Sequence, residues 1–245
     1  MFEPDAPLLH LRGGLNEGYC RDVVTTTTRS LSYAPYEKTT NSAEISPIAK
    51  FGPTVFDWIG KEFSPYLDET EVASQRMREV FSHENVPHPL DVALEFLRPL
   101  WNGGVAVADE AGRPYFAGVL RDIDGGALPH IDHARKETPN LSIGRVVAQA
   151  SLLYYVEVPS AGGALRVYDK EPSHEDDTHH TLGYGYSPEA IAGVSFTGVT
   201  PSTGSLVLFP TTRIHSVDPI DGQGRRVTWS VFLGLTPEGD LLLWS

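Results

Sequence analysis

Three residues in the second half of the chain have the types that hold a divalent metal. The pentapeptide Pro129-His130-Ile131-Asp132-His133 offers an imidazole and a carboxylate two residues apart. On a strand, residues i and i+2 point to the same face, so His130 and Asp132 can converge on one point while Ile131 faces away. A second imidazole has to come from elsewhere in the fold. His215 follows an apolar run, Gly204 to Pro210, and the polar stretch Thr211-Thr212-Arg213-Ile214. Two imidazoles and one carboxylate that leave coordination positions open suit iron(II) and oxygen chemistry. An H-x-D tripeptide occurs often by chance, so the weight rests on the segment after His215.

That segment contains the turn Asp221-Gly222-Gln223-Gly224 and then a strand-like run, Arg225 to Leu233. Strand parity puts Arg226, Thr228 and Ser230 on one face and Val227, Trp229 and Val231 on the other. If the polar face points inward, its cation and hydroxyls need an anion or ordered polar partners there. An Arg beside a hydroxyl can hold a carboxylate by a fork of charge-assisted hydrogen bonds. Arg225 is the adjacent alternative, and parity with Thr228 favours Arg226. Tyr154 and Tyr155 alternate faces, which makes one of them plain core. Arg121 and Arg166 lie on expected strands near the site, where each could bind a substrate carboxylate or phosphate or form a structural ion pair. His133, at an odd offset from His130, is expected to turn away from the metal. The cluster His174-Glu175-Asp176-Asp177-Thr178-His179-His180 has metal-site composition. It lies in a polar segment, and a solvated loop or lid is the simpler reading.

These residues need a scaffold. The first half mixes prolines with polar runs. Thr25 to Thr28 suits a strand or extended loop, and Arg29 to Pro47 resembles a long loop of the kind that covers sites. Asp68 and Glu71 suggest a capping box, followed by apolar residues at helical spacing, Ala73, Met77, Val80 and Phe81. A second helix is expected from Pro89 and Asp91, with Leu90, Ala93, Leu94 and Leu97 on one side and Pro99 ending it. From residue 103 the period changes. Val105 to Ala108 and Tyr115 to Leu120 suggest a hairpin across a polar turn. Short apolar runs come next at 146–158, 164–168, 194–199, 205–209, 227–235 and 241–244. Short strands bounded by turn residues, with no βαβ rhythm, point to a mainly β sandwich or barrel with flanking helices.

Length and composition agree with one domain over residues 1–245, in which 1–100 pack as helices and loops on a β core of 101–245. Hydrophobic residues make up 40% of the 245, enough for a sizeable core. The formal net charge of -13 disfavours nucleic acid and anionic membranes as partners. A single cysteine, Cys20, rules out an internal disulfide and is expected to be a buried free thiol. The start of the chain lacks the pattern of a signal peptide, and no apolar run reaches membrane-span length. The expectation is a cytoplasmic protein acting on a small molecule.

At this point the chain resembles the iron(II)- and 2-oxoglutarate-dependent oxygenases. The likeness rests on H-x-D, a distal His, and an Arg one short turn later on the next strand. Ser151 to Val156 followed by Gly162-Gly163-Ala164-Leu165-Arg166-Val167-Tyr168 is similar to that family's strand, loop, Gly-Gly and strand. Within the family, Phe116 to Arg121 and the ending Leu233 to Asp240 with Trp244-Ser245 resemble bacterial hydroxylases of free or N-substituted amino acids and their halogenase relatives. The resemblance implies a double-stranded β-helix (jelly-roll, cupin-like) core, with iron(II) on His130, Asp132 and His215. It implies 2-oxoglutarate bound through Arg226, Thr228 and Tyr155, and O2 as the third reactant. Hydroxylation of an unactivated C–H, with release of succinate and CO2, is the implied activity. In the family's halogenases a small residue leaves room for chloride, and Asp132 argues against that chemistry here. Two other readings compete: a cupin-type iron dioxygenase without 2-oxoglutarate, and a non-catalytic β-barrel binding protein.

Overall fold

A computed structural model describes residues 8–37, 48–173 and 184–245. In chain order the elements are β1 (Leu9–Leu11), α1 (Glu17–Ser30), β2 (Ala34–Pro35), β3 (Ala49–Phe51), α2 (Val55–Trp58), α3 (Ser64–His83) and α4 (Pro89–Leu97). Next come β4 (Val105–Val107), β5 (Asp109–Glu110), β6 (Arg113–Pro114), β7 (Val119–Asp122), β8 (Ala127–His130) and α5 (Ala134–Glu137). The chain continues through β9 (Ala148–Glu157), β10 (Leu165–Tyr168), β11 (Phe196–Val199), β12 (Leu206–Pro210), β13 (His215–Val217), β14 (Val227–Leu235) and β15 (Leu241–Trp244).

Two sheets face each other in a jelly-roll core. The larger runs β1-β12-β9-β14-β7-β3-β2, with β15 paired to β14 and β4 paired to β15. The smaller is β11-β10-β13-β8. The strands of the first hundred residues join the large sheet directly, since β1 pairs with β12 and β3 with β7.

Strand parity sorts side chains between the two faces of the large sheet. Tyr154, Trp229, Val231 and Leu152 point to one face and pack with Cys20 and Val23 of α1, Met77 and Phe81 of α3, and Leu97 of α4. Leu153, Tyr155, Val207 and Phe209 point to the other face and meet Leu165 and Val167 of the small sheet. Burial of the long apolar strands β9 and β14 on both faces is what closes the sandwich.

Several local expectations need correction. Thr25 to Thr28 lie inside α1 rather than in extended chain. Asn16 caps that helix through Gly18 and Tyr19 N–H, and Cys20, Val23 and Thr27 form its buried stripe. The Thr27 hydroxyl donates to Val23 O at 2.8 Å, so burying it leaves no unpaired polar atom. Packing against β9 therefore overrides the weak helix propensity of threonine. The helix expected at Asp68 begins earlier, at Ser64, with Pro65 in its first turn and no side-chain cap. Val105 to Ala108 and Tyr115 to Leu120 meet as hairpin arms only at their inner ends, where Tyr115 N–H donates to Ala108 O at 2.9 Å. Beyond that point β4 runs parallel to β15 and β7 joins β14, and the two-stranded ladder β5–β6 is confined to the turn. The second helix, Pro89–Leu97, and the strands expected at 164–168, 205–209, 227–235 and 241–244 lie where the pattern put them, to within a residue or two. The cluster at 174–180 and most of the expected lid at 29–47 lie outside the described residues. No helix among the described residues is long and apolar enough to cross a membrane.

Candidate metal centre

His130 ends β8 and His215 begins β13, and the two are direct cross-strand partners. Their rings stand 4.2 Å apart, centre to centre. Asp132 lies just past the end of β8, where its N–H donates to Thr211 O at 2.9 Å. Its carbonyl oxygen accepts from Thr211 Oγ1 at 2.9 Å and from Gln149 Nε2 at 3.2 Å. Its backbone is thus held by β9 and by the chain after β12, and its side chain swings back toward the histidines. Asp132 Oδ2 lies 3.4 Å from His215 Nε2 and 4.0 Å from His130 Nε2. One donor atom from each residue falls within 4.8 Å of the others, a grouping that fits a single ion.

Both rings are oriented in the same way. His130 Nδ1 lies 2.6 Å from Leu128 O, and His215 Nδ1 lies 3.1 Å from Arg213 O. A carbonyl oxygen only accepts, so each Nδ1 carries the proton and each Nε2 keeps its lone pair for a metal. Burial, together with His215, pushes the His130 pKa down to about 4, so the ring is neutral at physiological pH. For Asp132, burial alone would favour the acid. The imidazoles of His215 and His130 beside it and the Arg121 guanidinium outweigh it and hold the carboxyl below its ordinary range. A neutral His130 imidazole and an ionised Asp132 carboxylate are protonation states that a divalent ion requires.

The triad lines one end of a cavity between the two sheets. The polar face of β14 forms part of its floor, since Arg226, Thr228 and Ser230 all reach it. Arg226 is fully buried. Its Nε donates to Gly163 O at 2.9 Å and its Nη2 to Tyr155 Oη at 3.3 Å. Gly163 has φ +68°, and a Cβ there would stand 3.0 Å from Arg226 Cδ, so the Gly162-Gly163 turn lets backbone close over the guanidinium. Arg226 Nη1 and Thr228 Oγ1 are buried and have no hydrogen-bond partner among the described residues. Orphaned buried donors side by side are costly unless a ligand completes them, and a carboxylate from the cavity has the matching chemistry.

Among the residues singled out in the sequence, His130, Asp132, His215, Arg226 and Thr228 come together around this cavity. Tyr155 does not line it; its hydroxyl sits behind Arg226 and orients the guanidinium. Arg225 turns outward to Asp122, with Nη2–Oδ2 at 2.7 Å, and to Glu157. Arg166 is locked to Asp218 by two bonds of 2.7 and 2.8 Å. His133 is half-buried at the start of α5, away from the cavity lining. The sequence did not single out Tyr36, Ile48, Phe56 and Tyr184, which form an apolar wall of the cavity. Three of these come from short N-terminal elements with no spacing pattern, and only the long-loop signal at 29–47 hinted at a cover. Edge-to-face contacts link the wall to the triad: Tyr36 to Phe56 (5.9 Å), Phe56 to Tyr184 (6.3 Å) and Tyr184 to His130 (5.6 Å).

Residues 15–245 match the family described as carrier-protein-independent halogenase WelO5. The chain is 32% identical over 203 residues to an L-gamma-glutamyl-L-propargylglycine hydroxylase of Streptantibioticus cattleyicolor, covering 81% of this chain and 75% of that protein. It is 35% identical over 155 residues to the leucinostatins biosynthesis cluster protein S of Purpureocillium lilacinum, covering 58% of this chain and 62% of the other. Among solved structures it is similar to an N-substituted L-amino acid dioxygenase from Burkholderia ambifaria in complex with alpha-KG. The TM-score is 0.63 at 13% identity, over 98% of this chain and 87% of that one, a likeness of fold.

Proposed function

Because the chain belongs to the carrier-protein-independent halogenase WelO5 family of iron(II)/2-oxoglutarate oxygenases, we propose that it hydroxylates an N-substituted amino acid at iron(II) held by His130, Asp132 and His215. Arg226 and Thr228 bind the distal carboxylate of 2-oxoglutarate. The observation that carries this reading is the pair of orphaned donors, Arg226 Nη1 and Thr228 Oγ1, in the same cavity as the three metal-ligand side chains.

Iron(II), when bound with 2-oxoglutarate and O2, supplies the oxidative decarboxylation and C–H oxidation, and the protein supplies placement. His130 and His215 present unprotonated Nε2 atoms because Leu128 O and Arg213 O hold the Nδ1 protons. Thr211 and Gln149 fix the backbone of Asp132 so that its carboxylate stands beside the two imidazoles that would hold the metal with it. Arg226, clamped by Gly163 O and Tyr155 Oη, orients the co-substrate by a fixed charge and not by a flexible one. Phe209, edge-on to His215 at 5.1 Å, and Tyr184 shield the imidazoles from water.

Asp132 decides between hydroxylation and halogenation. Its carboxylate oxygen occupies the place beside the two Nε2 atoms that a halide would need. The substrate class is drawn from the hydroxylase relative, whose named substrate is a γ-glutamyl-substituted amino acid. The apolar wall of Tyr36, Ile48, Phe56 and Tyr184 suits an aliphatic side chain. The test supplies iron(II), 2-oxoglutarate and O2 with a panel of N-acyl and γ-glutamyl aliphatic amino acids, and measures succinate and product mass. Succinate coupled to a product gaining one oxygen atom is expected. Chlorinated product in the presence of chloride would contradict the role given to Asp132, and oxidation without 2-oxoglutarate would favour a cupin-type dioxygenase.

A further inference from the structure

The cavity contains a second guanidinium. Arg121 leaves β7 opposite Thr228 of β14 and lines the same space as the triad and Arg226. Its Nε donates to Tyr36 Oη at 2.6 Å, and its Nη1 donates to Ser230 Oγ. The guanidinium carbon stands 5.7 Å from the centre of the Tyr36 ring. All of these partners are neutral.

Elsewhere in the protein, arginines meet carboxylates. Arg113 pairs with Asp68, Arg166 with Asp218, Arg213 with Asp169 and Arg225 with Asp122. Among the described residues no carboxylate lies within ion-pair distance of Arg121 or of Arg226. In a chain of net charge -13, two inward cations with no carboxylate in direct contact are a feature of the cavity, although the Arg121 charge is felt by Asp132 across it. A partly desolvated guanidinium held rigid by two hydroxyls and an aromatic ring is prepared for an anion.

The two cations differ in their surroundings. Arg226 is enclosed by backbone and Tyr155 on the floor. Arg121 rests on Tyr36, which belongs to the apolar wall with Ile48 and Phe56. A molecule whose aliphatic part lies on that wall brings its own carboxylate within reach of Arg121. We propose that Arg121 is the anchor for a carboxylate of the organic substrate and sets the enzyme's preference for acids over amides or esters. This inference rests on the reading above, in which Arg226 takes the distal carboxylate of 2-oxoglutarate. The competing source of the same chemistry is the other carboxylate of 2-oxoglutarate itself.

Calorimetry and spectroscopy on the oxygen-free iron(II) protein separate the two sources. 2-Oxoglutarate affinity is read from its visible charge-transfer band, and substrate affinity from heats of binding of N-acetyl-L-leucine and N-acetyl-L-leucine amide to that complex. The wild type is expected to bind the acid about 10-fold or more tighter than the amide, the scale of one charge-assisted fork. Arg121→Gln should lose that preference while its 2-oxoglutarate affinity stays within about 3-fold, and Arg121→Lys, which keeps the charge but not the fork, should retain part of it. A comparable loss of 2-oxoglutarate affinity in Arg121→Gln would assign the anion to the co-substrate and overturn the proposal. Equal binding of acid and amide by the wild type, or saturable binding of neither, would also overturn it. A wild type that forms no charge-transfer band with 2-oxoglutarate would instead sink the reading beneath it, and the proposal with it.

Discussion

His130 and Tyr36 line the same cavity, and the two regions they belong to are built differently. In the strand region each functional group is fixed more than once. His130 and His215 share a ladder position, and each donates Nδ1–H to a carbonyl two residues back. Asp132 is held by three bonds to its backbone, and Arg226 is buried under a Gly-Gly turn. In the other region, Tyr36 comes after a two-residue strand, Ile48 precedes a three-residue one, and Phe56 sits on a single helical turn. Tyr36 and Phe56 meet edge to face and pack with Ile48 and Ile123, while the Tyr36 hydroxyl accepts from Arg121. Chemistry common to a family needs atoms held to within fractions of an ångström, whereas substrate choice needs a surface that can change without disturbing them.

That contrast can be broken by mutation. The largest effect should come from removal of a ligand. Asp132→Ala leaves two imidazoles for the ion, and iron(II) affinity measured by equilibrium dialysis should fall by more than about 100-fold, with the fold intact by circular dichroism. Arg226→Ala comes next. Losing a buried charge partner costs about 2–4 kcal/mol, so 2-oxoglutarate should bind roughly 30- to 1,000-fold more weakly while iron(II) binding holds. Tyr155→Phe removes only the brace behind Arg226, and one neutral hydrogen bond corresponds to about a 3- to 10-fold loss in 2-oxoglutarate affinity with no effect on the metal. Phe56→Ala should shift the preferred length of the substrate's aliphatic chain and change both iron(II) and 2-oxoglutarate affinities by less than about 2-fold. If Phe56→Ala weakened iron binding as Asp132→Ala does, the two regions would not be separable.

The same contrast explains how much of the molecule is legible in its sequence. Strand geometry converts spacing into direction for Thr228 and Ser230 on β14 and for Arg226 just before it, whereas Asp132 lies past the end of β8 and is turned toward the histidines by its backbone bonds. The Gly162-Gly163 turn and the long strands β9 and β14 can be read from composition and period. The role of Tyr155 is legible only in part, because parity says that it faces inward but not that Arg226 stands between it and the cavity. Tyr36, Ile48 and Phe56 are hidden because short, irregular elements leave no period, and their place is set by contacts far away in sequence. Thr25 to Thr28 mislead for a related reason: burial against β9 decides their conformation, and local propensity does not. Arg121 can be placed near the site, but only the structure shows that Tyr36 and Ser230 hold it where Asp218 holds Arg166.

The central claim is that His130, Asp132, His215 and Arg226 bind one iron(II) and one 2-oxoglutarate together. The most direct measurement is the visible spectrum of the oxygen-free protein as iron(II) and then 2-oxoglutarate are added. The wild type should develop a charge-transfer band that saturates at one equivalent of each. The band should be absent in Asp132→Ala and His215→Ala, and should require far more 2-oxoglutarate in Arg226→Ala. Iron binding without a band, or a band unchanged by these substitutions, would contradict the claim.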